Sequence, residues 1–225
     1  MPRTPGTADG VTPKTKLVLA TLHLLRRSGL AGAGINQVVD TSRAPKGSVY
    51  HYFPGGKEQL VTEALREADR AIGDGFARTF HGAGPIGEKV RALFTRTAAG
   101  VEANRFLKGC PVAAVTLDLD EDTESLRETC ATIFARWIDL IAHGLHEVPD
   151  RERRAVAQLI FATLEGGLVL SRAQSSKAPL LESGASLSAI LDARFRRVRR
   201  GGRSIGNFRH PPGAGAPSVG PVTVT

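Results

Sequence analysis

The chain has 225 residues, 41% of them hydrophobic and 23% charged, and its 30 lysines and arginines exceed 22 acids to leave a formal net charge of +8. That length supplies ample core for one large or two small domains. With no run of 18 apolar residues and no signal-peptide pattern, the sequence predicts a soluble cytoplasmic protein with no membrane partner, and Cys110 and Cys130, which lack C-x-x-C spacing, read as small packed hydrophobes rather than as metal ligands or a cross-link.

Residues 1–12, which include Pro2, Pro5, Gly6 and Gly10, have no apolar periodicity and are expected to be disordered. Thr12-Pro13 is a helix-start signal. The first helix should run to about Ser28, with Val18, Leu22 and Leu25 in one stripe, Leu17 and Leu24 beside it, and Gly29 as its stop. Arg26 and Arg27, near its end, reach phosphates or face water.

After a glycine-rich connection, Ile35, Val38 and Val39 fall at i, i+3 and i+4, so one stripe is buried and Asn36, Gln37 and Asp40 stay outside. Pro45 has a preset φ and no amide to satisfy, which suits the first turn of another helix. Val49 and Phe53, four residues apart, would anchor that helix from below and leave Lys46, Ser48, Tyr50, His51 and Tyr52 on its other faces. Two short helices joined without room for a loop, followed by a long one, make a helix-turn-helix. Its natural partner is the major groove of double-stranded DNA, which admits one α-helix. Lys46 suits guanine acceptors, the Tyr50 ring a thymine methyl, and Asn36 an adenine edge. Ser48, His51, Tyr52 and Lys57 suit phosphates, helped by amides at the start of the next helix. Gln37, Arg43 and Gly47 complete the candidate DNA-binding set.

These residues also carry a likeness. I-x-x-V from Ile35, A-x-K-G-S-V-Y-x-Y-F from Ala44 and K-E-x-L from Lys57 together resemble the tetracycline-repressor (TetR) family of bacterial transcription regulators. The wording APKGSVYHYFPGGKEQL is similar to its LmrA/YxaF-like branch, where two glycines separate Phe-Pro from Lys-Glu. The likeness runs from Thr15 to Leu60. Arg43 stands where the family usually has a turn glycine and Pro45 where it often has a capping serine. An Arg43 forced into the left-handed region would cost about 1 kcal/mol.

Lys57 opens a helix expected to reach about Phe80, with Leu60, Ala64, Ala68, Ala71 and Phe76 on or near its inner side. Gly73 and Gly75 weaken it by about 1 kcal/mol each relative to alanine, so a bend is expected there. Gly82, Gly84 and Gly87 have G-x-G-x-x-G spacing, but no strand precedes them and Pro85 sits inside, so this is a loop and no nucleotide cofactor is expected. Helical pattern resumes from Ile86 to about Arg105. A second apolar stretch, Cys110 to Leu119, opens with Pro111, and F-L-K-G-C-P-V at 106–112 again resembles the LmrA/YxaF-like branch. A long helix from Thr123 to about His146 carries a broad apolar stripe. Asp150 would cap the next helix, which runs to about Ser175 and is apolar over much of its circumference. The last helix is expected from Leu187 to about Arg200, with Leu187, Ile190, Leu191, Phe195 and Val198 apolar. Residues 201–225, rich in Gly, Pro, Ser and Arg, should be disordered.

The charge is unevenly placed. Residues 1–57 hold eight lysines and arginines against two acids, and the segment from Arg194 to the end holds seven arginines and no acid, which leaves the middle acidic. One basic end fits contact with a polyanion; the C-terminal run reads as a solubilising tail.

The whole reads as all-α: a helix-turn-helix domain over 13–60 and a helical ligand-binding and dimerisation domain over 61–200. The resemblance implies a repressor that binds a palindromic operator as a homodimer and is released by a small hydrophobic effector. Candidate lining residues for the effector pocket are Phe94, Phe106, Cys110, Val115, Leu119, Phe134, Trp137, Ile141, Phe161 and Glu165. Glu165 is the most pointed of them, because a carboxylate in so apolar a run needs a partner or a polar or cationic ligand. The competing reading is an enzyme with a metal held by His143 and His146, i and i+3 on one helix face one turn after Asp139. No second ligand cluster or nucleophile with its base accompanies them, so neither metal nor catalysis is expected.

Overall fold

The computed structural model describes residues 11–45 and 47–195. Lys46, the N-terminal stretch 1–10, and residues 196–225, with Val198 and the expected basic tail, lie outside the described residues. Nine helices follow one another and no strand occurs among the described residues: α1 (Pro13–Ser28), α2 (Ile35–Ser42), α3 (Ser48–Tyr52), α4 (Gly56–Phe80), α5 (Ile86–Ala103), α6 (Pro111–Leu117), α7 (Glu124–His143), α8 (Asp150–Gln174) and α9 (Ala178–Phe195).

Two apolar clusters organise them. The smaller joins Leu17, Ala20, Val38, Ala44, Val49, Phe53 and Leu60, and so gathers α1, α2, α3 and the start of α4. The larger runs from Leu25 and Leu30 through α4 to α9. Around it α5 packs on α9, α4 on α7, and α8 on both α7 and α9. α1 begins where Thr12 Oγ1 accepts from the Thr15 amide at 3.2 Å, with Pro13 in the first turn. Its fully buried line is Leu17, Thr21 and Leu25; Val18, Leu22 and Leu24 are half-buried at its flanks.

Several boundaries differ from the sequence expectation. The helix after the turn starts at Ser48 rather than near Pro45, because Gly47 takes φ 92° and Pro45 O accepts the Ser48 amide in a turn instead. Pro149, not Asp150, stands at the α8 N-cap, with Asp150 in the first turn. α7 ends at His143, where Gly144 packs with its Cα against the Phe80 carbonyl; a Cβ there would lie 2.2 Å from that oxygen. His146 is therefore off the helix. His143 and His146 do not share a helix face, His143 Nδ1 lies 2.8 Å from the Asp139 carbonyl, and no group of three metal-ligating side chains occurs among the described residues.

The largest difference is α9, which begins at Ala178, nine residues before Leu187. It is held by close contacts at small residues on both sides. A Cβ on Gly184 would lie 2.5 Å from Phe94 Cβ, Leu180 packs on Gly167, and Ser188 Oγ donates to the Gly87 carbonyl. In α4 the helix is uninterrupted through Gly73 and Gly75; Gly73 is buried because Arg136 lies over it, and Arg136 in turn pairs with Asp69 at 2.7 Å.

Candidate nucleic-acid interface and ligand cavity

The turn between α2 and α3 is built around one left-handed residue. Arg43 adopts φ 55°, ψ 26° at the α2 C-cap, and Ser42 supports the turn from within, its Oγ donating to Val39 O at 3.0 Å and accepting from the Ala44 amide at 3.2 Å. These bonds offset the roughly 1 kcal/mol or more that a side chain costs in that region. Past the turn, Val49 and Phe53 are buried and fix which way α3 rolls. Tyr50 is consequently 64% exposed and His51 is exposed, while Tyr52 is half-buried with its ring edge-on to His51 at 4.7 Å.

Asn36, Gly47 and Tyr50 border one notch between α2 and α3, together with Ile35, Val39, Asp40 and Val49. Gln37 and Arg43 are exposed on the same motif, Ser48 and Lys57 are half-buried, and Gly47 has nothing within 4 Å of where its Cβ would be. Lys46 lies outside the described residues. α4 then begins at Gly56, where Gln59 Oε1 accepts from the Gly55 amide at 2.9 Å.

The second site is a cavity of about 390 Å³ whose wall is made by α4, α5, α7, α8, the end of α1 and the segment before α6. Of the residues expected there, Cys110, Trp137 and Glu165 line it. Phe94, Val115, Ile141 and Phe161 are buried in the large cluster and Phe106, Leu119 and Phe134 pack at its edge, none of them on the cavity wall. Periodicity marks a side chain as inward but does not tell a hole from a neighbour. Phe161 faces the rings of Phe76, Phe134 and Trp137 at 5.4 to 6.1 Å between centroids, so it is spent on packing.

The wall also contains residues that the sequence reading did not assign to it, including Arg26, Phe76, Leu93, Arg96, Val101, Leu164 and Leu168. Phe76 and Leu93 belong to recognisable stripes. The arginines carry no sequence signal for this role, and Arg26, half-buried, lines the cavity. Burial pushes the Glu165 carboxyl up to about 7, and its hydrogen bond from the Cys110 thiol only partly opposes that. The same burial, then the nearby carboxylate, holds Cys110 well above the usual thiol range, which makes it a poor thiolate.

The cavity meets the helix-turn-helix unit through α6. At the entry to α6 the Gly109 amide donates to Arg26 O at 2.9 Å. At its other end Asp118 Oδ2 accepts from the amides of Leu30 at 2.7 Å and Ala31 at 3.3 Å. Gly29 lets that carboxylate in: it has φ 68°, and a Cβ would sit 2.3 Å from Asp118 Oδ2. Between α5 and α6, Arg105 and Phe106 both hold positive φ, at 57° and 60°.

Among the described residues the fold is all-helical, with an exposed aromatic side chain on a helix-turn-helix and a separate cavity, an arrangement that suits a DNA-binding regulator. The comparisons agree. Residues 17–64 match the family model "Bacterial regulatory proteins, tetR family", and residues 87–186 match "Transcriptional regulator LmrA/YxaF-like, C-terminal domain". The chain is 29% identical over 180 residues to the HTH-type transcriptional regulator LmrA of Bacillus subtilis (strain 168), covering 79% of this chain and 96% of LmrA. It is 30% identical over 170 residues to YxaF of the same organism, covering 75% of this chain and 89% of YxaF. The fold is similar to that of the TetR family regulator CifR, a cysteine mutant complexed with 26-bp double-strand operator DNA, at TM-score 0.71 and 20% identity over 85% of this chain and 99% of that one. The chain belongs to the TetR family of bacterial transcriptional regulators, which bind DNA and are not enzymes.

Proposed function

We propose that the protein is a cytoplasmic repressor that binds a palindromic operator as a homodimer and leaves it when a small hydrophobic molecule enters the cavity. The observation that carries this is the split along α3, where Val49 and Phe53 are 1% and 0% exposed and Tyr50 between them is 64% exposed. A large ring held out by a rigid underside is suited to a groove. Asn36, Gln37, Tyr50 and the sequence-assigned Lys46 read base edges; Arg43, Gly47, Ser48, His51, Tyr52 and Lys57 hold phosphates.

The dimer surface is the outer side of α8 and α9. Leu159, Val169 and Leu170 on α8 and Leu181 and Ile190 on α9 are exposed apolar residues on two neighbouring helices. By length and composition α8 is apolar enough to cross a bilayer, and 44% of that stretch is already buried in the bundle. A second copy, forming a four-helix bundle, covers the rest, and the pair presents two reading helices about 34–36 Å apart on one DNA face.

Release requires the ligand to favour a spacing that does not match the operator. About 1–3 kcal/mol of coupling changes DNA affinity roughly 5- to 150-fold. The α6 ties to Arg26, Leu30 and Ala31 supply a route between cavity and reading head. Of the two glycines in the middle of α4, Gly73 is covered by Arg136, whereas a Cβ on Gly75 would meet nothing within 4 Å. The Gly75 carbonyl accepts from Arg96 and Thr79 Oγ1, so bending there would strain those bonds.

The test is a mobility shift with the DNA upstream of the protein's own gene. Binding should weaken steeply between about 50 and 200 mM salt. Tyr50→Ala should cost about 1–3 kcal/mol of affinity on that DNA, with an unfolding free energy within about 0.5 kcal/mol of the parent. Unchanged affinity in the variant would remove Tyr50 from the interface.

A further inference from the structure

The cavity wall is charged asymmetrically: Arg26, Arg78, Arg96 and Lys108 border it, and Glu165 is the one acid among its lining residues. The cations are not equivalent. Arg96 is engaged, donating to the Gly75 carbonyl and to Thr79 Oγ1, and Arg78 is exposed. Arg26 Nε is buried, yet it has no hydrogen-bond partner, and Arg26 makes no ion pair among the described residues. A buried donor on a charged group is costly to leave unpaired, and an acceptor on a bound molecule would remove that cost. Lys108 and Arg27 also add positive charge near His23 on this side of α1, where they lower its pKa after burial, the larger cause. Glu165, by contrast, already has the Cys110 thiol as partner.

We infer that the effector is an amphipathic organic anion, with an acidic oxygen head that accepts a hydrogen bond from Arg26 and an apolar body against Phe76, Leu93, Trp137, Leu164 and Leu168. This rests on the reading of the cavity as the effector site. It also gives the head group a lever. Arg26 is in the last turn of α1, and its carbonyl holds Gly109 at the entry to α6, so a charge drawn to Arg26 acts directly on the helix that supports the reading head. An apolar molecule without an acidic head would fill the same space and leave that lever untouched.

Trp137 is the only tryptophan of the chain and lines the cavity, so its fluorescence reports occupancy there. Three heavy-atom quenchers of one shape and different charge serve as probes: 4-iodobenzoate, 4-iodobenzamide and 4-iodobenzylammonium. The benzoate should bind at least tenfold more tightly than the amide, and the ammonium should bind least. Arg26→Gln should bring the benzoate down to the amide's affinity, and Arg26→Lys, which keeps the charge, should retain part of the preference. Equal affinity of amide and benzoate, a preference for the ammonium drawn to Glu165, or a benzoate preference that survives Arg26→Gln would overturn the inference and leave the cavity reading intact. Saturable quenching by none of the three would instead defeat the cavity as an effector site.

Discussion

Replacing Phe53 with alanine is expected to destabilise the helix-turn-helix unit by about 3–5 kcal/mol and to abolish DNA binding, while the larger helical core stays folded. Phe53 is fully buried at the end of α3, its amide donates to Val49 O at 2.7 Å, and the Lys14 ammonium lies 5.8 Å from its ring centroid. The cluster it completes has only seven buried members, four of them no larger than valine. Such a cluster cannot close over a missing ring, and so small a unit has little stability to spare. Thermal unfolding followed by circular dichroism should show partial helix loss at low temperature and a separate main transition. A single transition close to that of the parent, with DNA binding retained, would mean that α3 is positioned by something other than this cluster.

Glu165→Gln should flatten the dependence of stability on pH. In the fold the Glu165 carboxyl titrates at about 7, against 4.5 for an ordinary glutamate, so between those values the folded protein keeps a proton that the unfolded chain has released. Stability is therefore lost as pH rises through that window, by up to about 3 kcal/mol above pH 8. Glutamine has no such proton. The variant and parent should have similar urea midpoints at pH 5, and the variant should be the more stable at pH 8. Parallel pH profiles for the two would show that Glu165 is solvated. The same change should alter the response to a cavity ligand more than it alters DNA affinity.

The helix-turn-helix was legible because its constraints are local. Val38, Val49 and Phe53 lie at fixed spacings on short helices, and their burial alone forces Asn36, Tyr50 and His51 outward. The left-handed Arg43 was only a conditional in the sequence, raised by the resemblance, and it is the conformation the turn takes. The start of α9 was not legible. Its contacts are made by Gly184 against Phe94 and by Leu180 against Gly167, and glycines and other small residues between them leave no stripe to count. The cavity was legible only in part, for a related reason. Cys110, Trp137 and Glu165 border it, but whether Phe94 or Phe161 met a void or another side chain depended on tertiary packing. Arg26 was hidden altogether, because an arginine in the last turn of a helix reads as a solvated charge until its neighbours are known.

The most direct measurement is sedimentation of the protein with two short duplexes cut from the region it retains upstream of its gene, one carrying both inverted half-sites and one carrying a single half-site. Two chains should assemble on the intact repeat, with far weaker retention on the half-site and loss of both complexes as salt is raised. One chain bound equally well to either duplex, at an affinity indifferent to salt, would contradict the paired reading heads on which this account stands.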